Sequence, residues 1–264
     1  MFARRKQRML DTHRKTALAL GMPDAVPQRI FPSEIVNNFR HMLTRLTYGE
    51  ALSDKRISRI SFVSALQQEG VTYTALAFAT TLAHDLDAEI CLVDLNWWSP
   101  GLPGALALPP QPRRWWQRRK PQEPAVELPS SPGLAGVLNG TISLEEALVP
   151  TALSNLQVLP AGEIPLAQRP VVARSEQLRS CIETLSGYFH YVLLDVPAVL
   201  TTSDAIALAS LGDACCIVIR QGVTPVNSVR TALDDLKHLQ MLGVVLNQTR
   251  MSTPRWIRAL VPQE

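Results

Sequence analysis

Two apolar runs of strand length, Glu89–Asp94 and Tyr191–Asp195, each stop at an aspartate. Nearly unbroken apolar strands are what a sheet covered on both faces requires, and such sheets are parallel. The stretches between the runs carry helical spacing, so strands alternate with helices along the chain. That alternation predicts one doubly wound, mostly parallel α/β domain with right-handed crossovers over 33–250. In such a sheet ligands bind outside the C-terminal ends of the strands, where both aspartates would sit.

The remaining elements follow from local pattern. Ile35, Phe39, Met42, Leu43 and Leu46 recur at helical spacing after Ser33, a fitting N-cap. A β-branched run from Ile57 ends at Gln67–Gly70, and an Ala-rich helix follows over about Thr72–Asp85. Short helices are expected near Gly133–Asn139 and Ser143–Leu148, and longer ones over Ser175–Gly187, Ser203–Leu211 and Pro225–Leu239. Strands are expected at Asn155–Leu159, Ala214–Arg220 and Val244–Asn247. Residues 1–32 read as a flexible basic tail, and 251–264 as a C-terminal tail. The Pro-rich stretch 109–132, with Arg113, Arg114, Trp115 and Trp116, reads as a loop.

Composition removes several classes. With 46% hydrophobic residues among 264, the chain is not wholly disordered. A net charge of +3 gives no reason to expect nucleic acid as a partner. The longest apolar runs are broken by Asp195 and Asp213 and fall short of the ~18 residues of a membrane span. Thr16–Met22 is at the short limit for the apolar core of a signal peptide, and Pro23-Asp24 ends it without a small-residue cleavage site, so none is expected. Of the four cysteines, Cys91, Cys215 and Cys216 lie inside apolar strands and none makes a C-x-x-C pair, as expected of a reduced cytoplasmic protein. The scattered histidines offer no zinc spacing.

Several collinear segments resemble the bacterial tyrosine kinases of capsule and exopolysaccharide synthesis, the BY-kinases. Ser64–Thr72 (SALQQEGVT) is similar to their SAxPGEGK(S/T) loop, and Ile90–Leu102 to their apolar-Asp-x-Asp-x-Arg-x-Pro-x-Leu stretch. Gly133–Gly140 with Leu144–Ala147 is similar to GLxxxLxG…LEEA, and Asn155–Pro165 to NLxVLPAGxxP. Tyr191–Ala205 is similar to the Walker B stretch, and Gly243–Asn247 to the strand whose Asn faces adenine. The resemblance runs in order from about 33 to 248 and implies a P-loop NTPase fold of the MinD/ParA-like kind.

It also implies a site. ATP and Mg²⁺ would be the cofactors. Glu69, Gly70, Val71, Thr72 and Asn247 would lie on the nucleotide. Thr72, Asp94 and Asp195 would hold Mg²⁺, with Asp94 as base or metal ligand if the site is active. The departures weaken the phosphate end: the lysine is Val71, the glycine before Glu69 is Gln68, the second Asp is Asn96, and the Arg is Trp98. Losing one charge-assisted contact costs about 1.5–3 kcal/mol, and more in the rate because charge develops at the phosphoryl group.

The expected function is therefore that of a degenerate BY-kinase-like regulator or scaffold with weak or no ATP hydrolysis. Its partner would be a membrane polysaccharide copolymerase, at the inner face of the plasma membrane. An active tyrosine kinase with an unusual P-loop and a MinD/ParA-like positioning ATPase are the alternatives. Arg40, Trp97, Trp98, Arg113, Arg114, Trp115 and Trp116 are the expected interaction residues. The basic tail suits an anionic membrane surface. Arg40 is what remains of the family's Glu-x-x-Arg-x-x-Arg ring-assembly motif, which leaves a homo-oligomer open.

Overall fold

The computed structural model describes residues 31–50, 57–102 and 132–248. The expected tails, and Arg113, Arg114, Trp115 and Trp116, lie outside them.

A seven-stranded sheet forms the centre. Its strands are β1 (Arg59–Ser64), β2 (Ile90–Asp94), β3 (Val149–Pro150), β4 (Leu156–Leu159), β5 (Tyr191–Asp195), β6 (Ala214–Arg220) and β7 (Met241–Asn247). The order across the sheet is β3-β4-β2-β5-β1-β6-β7. Every pairing is parallel except β3 with β4. The helices are α1 (Ser33–Glu50), α2 (Val71–Asp85), α3 (Gly133–Leu138), α4 (Leu144–Ala147), α5 (Arg169–Ala173), α6 (Glu176–Tyr188), α7 (Asp204–Ala209) and α8 (Val226–Asp235).

The pleat sorts successive side chains into two cores. On one face Ile60, Phe62, Ile90, Leu92 and Leu193 meet α1 and α2. Phe39 and Phe62 each place their ring 5.5 Å from that of Phe78. On the other face Val63, Cys91, Val93, Val192 and Leu194 meet α6 and α7. The four cysteines are buried and free, in keeping with their place among small apolar residues.

The expected parallel sheet and its order of elements are present. Five details differ. Pro32, not Ser33, stands at the N-cap of α1, its carbonyl taking the N–H groups of Ile35 and Val36 at 3.0 and 3.2 Å, and Ser33 is the first helical residue. α8 ends at Asp235, four residues short of the expected Leu239, and β7 begins at Met241 rather than Val244. The short strand β3 and the short helix α5 were not foreseen.

Candidate active site

The loop from β1 to α2 forms the floor of a cleft at the C-terminal ends of β1, β2 and β5. Its shape depends on two left-handed residues, Gln68 (φ 63) and Gly70 (φ 89). A Cβ at Gly70 would lie 2.1 Å from Asn247 Nδ2, so only glycine fits.

The polar groups of the loop are occupied from within. Leu66 N–H donates to Glu69 Oε2 at 3.1 Å, and the Thr224 hydroxyl donates to Glu69 Oε1. Asn247 Nδ2 donates to the Glu69 carbonyl at 2.8 Å, while its Oδ1 accepts from Gln248 N–H at 2.8 Å. Glu69 and Asn247, both expected on the nucleotide, thus tie the loop to the β6–α8 turn and to the end of β7. Thr224 lies 155 residues from Glu69, and no local sequence pattern signals the bond.

Asp94 and Asp195 are register partners on β2 and β5, and both are fully buried. Asp94 accepts N–H bonds from Asn96 at 2.9 Å and Leu102 at 3.4 Å. Burial pushes its carboxyl up to about 7 against the pull of those two donors. Neither oxygen of Asp195 has a hydrogen-bond partner of normal geometry among the described residues. Burial first, and the Asp94 charge second, hold the Asp195 carboxyl well above its ordinary value, with the nearby Thr72 hydroxyl opposing. Gly101 closes over Thr72: a Cβ there would come within 2.8 Å of Thr72 Oγ1.

Two carboxylates, one without a hydrogen bond of normal geometry among the described residues, beside a hydroxyl form a hard-oxygen donor set that suits Mg²⁺. No cluster of three or more His, Cys, Asp or Glu suited to a metal occurs among the described residues, so Thr72 or a ligand's own oxygens would complete the shell. The fit for a nucleotide's phosphates is poorer. The N-terminus of α2 offers its dipole, but Val71 heads that helix and no Lys or Arg lines the cleft among the described residues.

The interaction residues part company. Trp97 is buried, its Nε1–H donating to the Ala161 carbonyl at 3.0 Å, so a partner cannot reach it. Trp98 forms a wall of the cleft, with the Arg169 guanidinium 5.5 Å from its ring centre. Arg40 pairs with Asp85 at 2.7 and 3.0 Å and so joins α1 to the last turn of α2. Asp204, fully enclosed at the start of α7, pairs with Arg174.

The succinoglycan biosynthesis transport protein ExoP of Rhizobium meliloti (strain 1021) is 29% identical over 224 residues, 83% of this chain and 26% of that protein. The tyrosine-protein kinase ptk of Acinetobacter johnsonii is 24% identical over 220 residues, 83% of this chain and 27% of its own length. The chain is thus similar in sequence to bacterial tyrosine kinases. It spans about a quarter of the length of these two relatives. No family model matches it.

The fold agrees with that kinship. The chimerical protein CapA2B2 superposes with a TM-score of 0.68 at 20% identity, over 90% of this chain and all of that one. The septum site-determining protein MinD of Pyrococcus horikoshii, complexed with Mg-ADP, gives 0.52 at 20% identity, over 76% and 75%. The fold is therefore the one that these P-loop NTPase structures share. Among the described residues no helix is long and apolar enough to cross a membrane.

Proposed function

We propose that the chain is a degenerate BY-kinase-like protein of exopolysaccharide or capsule synthesis, retained for its contacts rather than for phosphoryl transfer. It would act as a regulatory or scaffold partner of a membrane polysaccharide copolymerase, held peripherally at the inner face of the plasma membrane. The kinship with a succinoglycan transport protein and a tyrosine kinase supports the pathway. The observation that carries the loss of activity is Val71 at the head of α2 in a cleft that no Lys or Arg lines among the described residues. Phosphoryl transfer is mostly positioning and charge neutralisation, and the residues present supply little positive charge for either.

A second reading keeps the kinase. It rests on the Asp195 oxygens, which have no hydrogen bond of normal geometry among the described residues, beside Asp94 and Thr72, a donor set that a divalent cation would satisfy. Bound Mg²⁺ would neutralise charge on the transferred phosphoryl group, with Thr72, Asp94 and Asp195 holding it and a cation from elsewhere replacing the lysine. A MinD/ParA-like positioning ATPase is compatible with the fold but has no further observation in its favour.

Calorimetry of Mg·ATP with the parent protein and with Val71→Lys separates these readings. The scaffold reading expects little or no binding by the parent at millimolar ATP. In Val71→Lys it expects affinity higher by about 10- to 100-fold, the worth of one charge-assisted contact. Micromolar binding by the parent would overturn it in favour of the kinase. Failure of both proteins would overturn the assignment of Ser64–Thr72 as a phosphate loop.

A further inference from the structure

The cleft at the ends of β1, β2 and β5 joins an aromatic wall to uncharged polar groups. Trp98 is that wall. Its ring is braced from outside the cleft. The Arg169 guanidinium lies 5.5 Å from the ring centre, and Arg169 Nε donates to the Ile164 carbonyl at 3.0 Å. The buried Trp97 packs beside it, with ring centres 6.2 Å apart and planes tilted by 56°. Arg169 does not itself line the cleft, so its guanidinium takes the ring face turned away and leaves the other toward the opening.

The rim around this wall carries no charge. Gln67, Gln68, Asn96, Ser99 and Thr201 line it. Asn96 engages only its Oδ1, which accepts from Ser99 N–H at 3.1 Å. The side chains of Gln67, Gln68, Ser99 and Thr201 make no hydrogen bond among the described residues. An amide supplies two donors and an acceptor, and a hydroxyl one donor and two lone pairs, so the rim can both give and take hydrogen bonds. The cleft holds about 190 Å³, below the ~300–1,000 Å³ of sites that enclose drug-sized ligands, and so suits one small ring.

The chemistry of these walls narrows the ligand. An anion would find no Lys or Arg among the described lining residues. A wholly apolar molecule would cover the rim and leave its polar groups unpaired, at a cost for each. What fits has apolar faces and an uncharged polar edge. A pyranose sugar has this form: C–H groups pave its faces and equatorial hydroxyls surround its edge. The C–H groups suit the negative face of an indole, and the hydroxyls match a rim of amides and hydroxyls. We infer that the cleft binds a single uncharged hexopyranose, stacked on Trp98 with its hydroxyls bonded to Gln67, Asn96 and Thr201. This rests on the scaffold reading, in which the cleft no longer serves ATP.

Calorimetry of the full chain with methyl β-glucoside, methyl β-galactoside, adenosine and Mg·ATP, each titrated separately, tests it. At least one of the two glycosides should give saturable heat with a millimolar Kd. Trp98→Ala should weaken that binding about tenfold or more, as truncation of an aromatic anchor does. Trp98→Phe should recover most of it, because a stacking face returns. Unchanged circular dichroism confirms that both variants are folded. No saturable heat with either glycoside would overturn the proposal and leave the scaffold reading standing. So would equal affinity in the parent and Trp98→Ala, or binding of adenosine but neither glycoside, which would give the wall to a nucleobase. Micromolar binding of Mg·ATP by the parent would overturn the scaffold reading itself, and the sugar site with it.

Discussion

Gln68 and Gly70 stand two residues apart in one loop and show how a backbone conformation selects its residue. Both are left-handed, at φ 63 and 89. An L-residue with a Cβ is strained there by about 1–2 kcal/mol, and glycine escapes that cost while losing more freedom on folding. Gln68→Gly should therefore raise stability by a net ~0.5–1 kcal/mol, read as a higher urea midpoint at unchanged slope. Gly70→Ala should do the opposite. Its Cβ would collide with Asn247 Nδ2 and displace the bond to the Glu69 carbonyl, at a cost of about 2–4 kcal/mol. The site of strain was legible in the sequence as a glutamine where the resembling loops carry glycine. The fates of Trp97 and Trp98 were not. Adjacent in sequence, one is sealed against the Ala161 carbonyl and the other walls the cleft, and composition gives both the same weight.

At the scale of elements, long buried strands were readable because burial on both faces leaves one pattern. Tyr191–Asp195 and Ala214–Arg220 have the same limits in the structure as in the sequence reading. β3 was not readable: it is two residues, one of them proline, and exists only because Val149 and Pro150 lie antiparallel to Val158 and Gln157. α5 has five residues with proline near its start and no apolar period. The turn before β6 depends on a long-range ion pair that no local pattern encodes. Asp213 accepts from the backbone of Ser58 and Arg59 at 3.1 and 2.9 Å and pairs with the Arg59 guanidinium at 2.6 Å. Burial works to raise its pKa, but the Arg59 side chain and these N–H groups outweigh it and hold the carboxyl below its ordinary value. A depressed carboxylate adds stability above its unfolded pKa of about 3.9 and loses it as pH falls through the folded value. Asp213→Asn should thus be less stable by ~1–2 kcal/mol at pH 7. The gap should close below about pH 4, and chemical unfolding at both pH values measures it.

For the whole molecule, the paired ends of β2 and β5 set how stability varies with pH. Asp94 and Asp195 are fully buried side by side, with Asp94 pushed up to about 7 and Asp195 well above its ordinary value. Carboxyls whose pKa is raised on folding bind protons more tightly in the folded chain. The protein is then most stable near the unfolded pKa of about 4 and loses stability as pH rises toward the folded values. This runs opposite to the contribution of Asp213, so the two can be told apart by mutation. Asp195→Asn removes a buried charge whose oxygens have no hydrogen bond of normal geometry among the described residues. It should raise stability by about 1–3 kcal/mol at pH 8, which is roughly 2–10 °C in Tm for a domain of this size. At pH 4, where the parent carboxyl is already protonated, the two proteins should melt together. A divalent cation supplies the same neutralisation without mutation. If Thr72, Asp94 and Asp195 still form a cation site, millimolar Mg²⁺ at pH 8 should raise the Tm of the parent and leave that of Asp195→Asn unmoved, since only a ligand of the folded state stabilises it. A parent indifferent to Mg²⁺ but stabilised by Asp195→Asn would mean that the carboxylate now only costs stability, as expected of a site whose chemistry has gone while its fold is kept.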